Sequence, residues 1–131
     1  MRQQNVLNFK VGIFIGRNPS DVSRVARGLA TAATYVCGGC TYSTDKTGTW
    51  IEEAGRTSPE TFDVSAMVTE YVVEIELTCE PDKTEAAYKH MKDACAVWVK
   101  KGFDINWVHC TQTIALGRHF SVSEHIAEQE A

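Results

Sequence analysis

Between Tyr42 and Trp50 the chain reads Tyr-Ser-Thr-Asp-Lys-Thr-Gly-Thr-Trp. Ser43, Thr44 and Thr47 offer hydroxyls at close spacing, and Tyr42 and Trp50 place a flat aromatic face at either end. Hydroxyl donors and acceptors beside aromatic planes are tools for holding a nucleoside. On residue types alone, a decorated turn of this kind is more often plain surface. The acids that follow this stretch after Ile51 are Glu52 and Glu53.

Cys37-Gly38-Gly39-Cys40 has the spacing of a zinc or redox pair, but such pairs work at a helix start, and this one falls where a helix should stop. Cys79, Cys95, His109 and Cys110 form no second paired motif, so the reading is a glycine-rich helix end and no metal site. His109 and Cys110 are neighbours in a strand and point to opposite faces, so they make no nucleophile and base pair. Gly12 to Gly16 is not a dinucleotide fingerprint, and no phosphate-cradling GxxxxGK[ST] loop occurs.

The elements that must position these residues follow from periodicity. Lys10 to Gly16 predicts an apolar strand. Asn18 and Pro19 predict a helix cap and first turn, followed by Val22, Val25, Ala26, Leu29, Ala32 and Ala33 as one stripe, with a stop at Gly38 and Gly39. Cys40 to Asp45 and Gly48 to Ala54 read as two arms of a hairpin around Asp45-Lys46-Thr47-Gly48. Residues 55–63 read as a surface loop. Val68 to Cys79 alternates, with Tyr71, Val73, Ile75 and Leu77 on one face and Glu70, Val72, Glu74 and Glu76 on the other. Pro81 opens a second helix with Ala87, Tyr88, Met91, Ala94, Cys95 and Trp98 along its stripe, closed by Lys100, Lys101 and Gly102. Ile105 to Leu116 predicts a last strand at least partly buried on both faces. Residues 121–131 form a polar tail that fits a short helix packed on a neighbouring subunit or a frayed end.

The order is βαββαβ, which predicts a single α+β domain over 1–131, a ferredoxin-like antiparallel sheet with both helices on one face. The face carrying Glu70, Glu74 and Glu76 is then left without helical cover, which predicts a symmetric oligomer with sheets facing inward.

At 131 residues and 44% hydrophobic composition the chain can bury a core without disulfides, and five cysteines fit free thiols in a reducing cytosol. A net charge of -4 without a basic run argues against nucleic acid as a partner. Met1 to Asn8 lacks the apolar stretch of a signal or membrane span, so a cytoplasmic location is expected.

Three segments together resemble the phage-encoded S-adenosylmethionine lyase family, long described as S-adenosylmethionine hydrolases. They are Ser43-Thr44-Asp45-Lys46-Thr47-Gly48 continuing through Trp50, Glu52 and Ala54; Ala94-Cys95 with Trp98; and Gln112-Thr113. The resemblance implies a homotrimer of ferredoxin-like subunits, PII-like in architecture, with sites between subunits and no cofactor. It implies cleavage of S-adenosylmethionine to methylthioadenosine and homoserine lactone, serving a phage against host restriction. The family's key acid falls nearest Glu70, with Glu52 and Glu53 as rivals. Its key tyrosine is replaced here by Trp50, which leaves Tyr42 or Tyr71 as a source of a phenol, or the aromatic face itself as what matters. The competing expectation is a PII-like trimer that binds or sequesters a nucleotide without turning it over.

Overall fold

The computed structural model describes residues 1–14, 19–51, 55, 65 and 67–131. Its elements in chain order are β1 (Arg2–Phe14), α1 (Pro19–Cys37), β2 (Thr41–Trp50), β3 (Val68–Cys79), a turn of 3-10 helix (Pro81–Lys83), α2 (Thr84–Lys100), β4 (Ile105–Gly117) and α3 (Val122–Glu130). The four strands form one sheet in the order β2-β3-β1-β4, and every adjacent pair is antiparallel. This is the ferredoxin-like α+β fold expected from the pattern, with α3 added at its end.

The core follows from two periodicities meeting. Leu7, Phe9, Val11 and Ile13 of β1 and Val73, Ile75 and Leu77 of β3 are buried on one sheet face. Against them lie Val22, Val25, Ala26, Leu29 and Ala33 of α1, spaced at helical period, and Ala87, Met91 and Cys95 of α2. Burying each large aliphatic side chain stabilises the fold by about 1.5–3 kcal/mol. The amide of Asn5 donates to the buried Thr84 hydroxyl at 2.7 Å, which ties β1 to the first turn of α2. Tyr88, expected in the buried stripe of α2, lies at its margin beside Phe9, with ring centroids 6.1 Å apart.

Three expectations change. The strand expected from Lys10 begins at Arg2. Its polar first residues give no apolar alternation, but Arg2, Gln3 and Gln4 pair with β4 and, from Asn5 onward, β1 pairs with β3 as well, so the ladder sets the conformation. The hairpin expected around Asp45 to Gly48 is instead one strand, β2, paired with β3 along its length. The register shifts between Ser43 and Lys46, where β2 takes three steps against two on β3. The polar residues that looked like a turn therefore hold a β-bulge. Finally, β4 is not buried on both faces within the chain: it is the edge beside β1, and Ile114 and Leu116 are exposed. The cap at Asn18 and most of the 55–63 loop lie outside the described residues.

Candidate functional site

With α1 and α2 on one face of the sheet, the other face is floored by Gly12 of β1, Gly48 of β2 and Val72 of β3. Glu70 stands in the middle of it and is 1% exposed. Its Oε1 accepts from Trp50 Nε1 at 2.6 Å and from Asn106 Nδ2 at 3.1 Å, and its Oε2 accepts from Trp107 Nε1 at 2.9 Å. An indole N–H can only donate. The carboxylate is thus held by three neutral donors, and among the described residues no cation pairs with it. A buried carboxylate is costly unless its lone pairs are used, and here each oxygen has a partner.

Irregularities in the two outer strands aim these donors. Between Gly12 and Ile13 the register of β4 against β1 shifts, so that Trp107 faces Gly12, Ile105 faces Ile13, and Asn106 is left without a partner. Residues adjacent in a regular strand would point to opposite faces, whereas this bulge lets both Asn106 and Trp107 reach Glu70. On the far side, the bulge in β2 changes the alternation so that Lys46, Gly48 and Trp50 share the face of Glu70. Bulges are frequent where a side chain must be re-aimed at a site.

The floor is cut to fit. A Cβ on Gly12 would lie 2.3 Å from Trp107 Nε1 and 2.6 Å from Glu70 Oε2, and one on Gly48 would lie 2.8 Å from Val72 Cγ2. Only residues without a side chain leave room for the indole and the carboxylate. Beside this cluster Glu74 accepts from Asn8 at 2.9 Å and pairs with Lys46. The hydrogen bond from the Lys46 ammonium, joined by that from Asn8, holds the Glu74 carboxyl below its ordinary range, and the same pairing raises Lys46.

The structure brings Glu70 and Trp50 into direct contact. Ser43 lies on the same sheet face, opposite Glu74 and beyond the bulge, and Thr44 falls within the bulge. Tyr42, Thr47 and Tyr71 lie on the helix-covered face, in register with Ile75 and with one another. Tyr42 lines a cavity of about 280 Å³ with Arg27, Thr34, Tyr35 and Cys40, away from Glu70. Neither Tyr42 nor Tyr71 therefore shares the face of Glu70 in its own chain. Glu52 and Glu53 lie outside the described residues. Trp107, Asn106 and Gly12 were not legible as site residues. Trp107 stood in an alternating strand, and only the strand order, which sets β4 beside β1, brings it over Gly12.

No protein-family model matches the chain, and no curated protein matches it. Solved structures do. The 30S ribosomal protein S6 from Thermotoga maritima aligns with a TM-score of 0.52 at 7% identity, over 97% of this chain and 96% of that one. The divalent ion tolerance protein CutA1 from Ehrlichia chaffeensis aligns at 0.48 and 9% identity, over 100% and 98%. CPII, a nitrogen regulatory PII-like protein from Thiomonas intermedia bound to ADP, AMP and bicarbonate, aligns at 0.37 and 12% identity, over 85% and 88%. At such identities the likeness is one of fold.

Among the described residues, no group of three His, Cys, Asp or Glu side chains is placed to hold a metal ion. Cys37 and Cys40 are free thiols, and burial raises Cys37. No helix is long and apolar enough among those residues to cross a membrane.

Proposed function

We propose that the open sheet face around Glu70 is a site for S-adenosylmethionine, formed in a PII-like homotrimer, and that the site cleaves it to methylthioadenosine and homoserine lactone. The observation that carries this reading is the buried Glu70 carboxylate beneath two partly exposed indoles, Trp50 and Trp107. A fixed negative charge under aromatic rings favours a permanent cation such as a sulfonium, and cation-π attraction adds about 0.5–2 kcal/mol. The identity of that cation and the phage setting come from the resemblance of segments 43–54, 94–98 and 112–113 to the lyase family.

In the proposed reaction the substrate's own carboxylate oxygen bonds to its γ-carbon, the bond from that carbon to sulfur breaks, and the electron pair stays on sulfur. The sulfonium becomes a neutral thioether and the carboxylate an uncharged lactone. No proton moves, so the protein's part is to fold the methionine chain and stabilise the charges. Glu70 suits this role better than that of a base for water, because both of its oxygens are already engaged by donor-only groups.

The same saturation supports the second reading, a PII-like module that binds a nucleotide without turnover, and the fold agrees with that reading at least as well. The two separate when the protein is incubated with S-adenosylmethionine in ¹⁸O-water and the products are identified by mass spectrometry. Methylthioadenosine with lactone free of solvent oxygen supports the lyase. Homoserine carrying solvent oxygen at its γ-carbon means hydrolysis. Intact, bound S-adenosylmethionine leaves the binding module.

A further inference from the structure

Glu70 is too enclosed to meet a ligand directly. At 1% exposure it lies behind Trp50 and Trp107, which are 44% and 36% exposed. Each indole turns its N–H edge to the carboxylate, at 2.6 and 2.9 Å, so the remainder of each ring system extends away from it. Trp107 is fixed from below as well, since its ring occupies the space that a side chain at position 12 would need. The outer surface of this part of the face is consequently aromatic, with a charge behind it.

We infer that Trp107 is the second ligand-contacting wall of the site, opposite Trp50, and that Glu70 is a positioning residue which orients both indoles and biases them towards a cation. This rests on the proposed function for the identity of the ligand, but not for the pairing of the two rings. It also gives position 50 a role that needs no hydroxyl: the indole N–H there reaches the same carboxylate that holds Trp107. The expected selectivity is for a charged sulfonium over its neutral thioether.

The chain has three tryptophans, so the indole region of a ¹H–¹⁵N spectrum holds three peaks, assigned by replacing each in turn with Phe. Trp98 serves as an internal reference, since it packs against Phe103 on the helical side. Titration with S-adenosylmethionine should move the Trp50 and Trp107 peaks and leave Trp98 in place. Trp107→Ala should weaken its binding about tenfold. Glu70→Gln should lower the affinity for S-adenosylmethionine more than that for methylthioadenosine, a loss of preference that loss of folding alone would not produce. If S-adenosylmethionine moves no peak in the wild type, the proposed function falls, and the ring pair is judged by titration with adenosine and with trimethylsulfonium. Movement of both peaks with either probe keeps the pair as a ligand surface. Unmoved peaks with every probe, or unchanged affinity and selectivity in both variants, overturn the inference.

Discussion

The Trp107 indole donates to Glu70 Oε2 at 2.9 Å from a neighbouring strand position that Gly12 keeps clear. The contact joins β4 to β3 across β1, so the site depends on the packing order of the sheet rather than on any one segment.

Removing the acceptor should destabilise the chain. In Glu70→Gln one of the three donors meets an amide N–H₂ instead of an oxygen, and the expected loss is about 1–3 kcal/mol. Urea unfolding measures it. A variant as stable as the wild type would mean that the donors do not converge on this carboxylate.

Filling the floor should disturb the roof. Gly12→Ala puts a methyl group 2.3 Å from the Trp107 ring, and overpacking of this kind costs about 1–3 kcal/mol. The indole must shift off Glu70, so Trp107 fluorescence should change together with stability. Gly28→Ala is the control: its Cβ would meet Trp98 at 2.1 Å on the helical side, and it should lower stability without changing ligand selectivity.

Acid sensitivity should involve Glu74. The Lys46 hydrogen bond holds its folded-state value below the unfolded one, so the stabilisation is present above the unfolded value and fades as pH falls below about 4.5 towards the folded one. Lys46→Met should flatten that acid limb. Measuring unfolding free energy from pH 3 to 7, with about 0.1 M salt to screen long-range charge interactions, tests this, and an unchanged limb would show that the pair has no part in it.

Self-association should depend on the end of β4. Ile114 and Leu116 are 69% and 64% exposed, and Phe120, Val122 and Ile126 follow them in the open. Replacing Ile114 and Leu116 with Asp should shift a trimer towards monomer in sedimentation equilibrium, since large exposed apolar patches mark contact surfaces. A wild-type chain that sediments as a monomer would count against the assembly itself.

Much of the fold was legible because the strongest patterns were long. β3 alternated over its whole length, and the stripes of α1 and α2 ran for several turns, so burial had one answer. The first residues of β1 were not legible, because Arg2, Gln3 and Gln4 gain their strand conformation from pairing with β4, and Asn5 from β4 and β3, and not from their own preferences. The site was half legible. Glu70 and Trp50 could be named from motif and order, but their contact at 2.6 Å could not. Asn106 and Trp107 were hidden because register is a property of paired strands, and a bulge breaks the alternation from which facing is read.

The extra residue between Ser43 and Lys46 sets the phase of β2. Ahead of it the odd-numbered positions Thr41 and Ser43 look to the open face, and after it the even-numbered Lys46, Gly48 and Trp50 do. Strand length in this stretch is therefore coded by parity. Deleting one residue within the bulge would only straighten the strand, whereas deleting Thr47, with the pairing of Thr41, Ser43 and Lys46 kept, would turn Thr49 outward and move Gly48 and Trp50 to the helix-covered face. A loop can lose a residue and close again, but this strand would keep its hydrogen bonds and exchange its two faces.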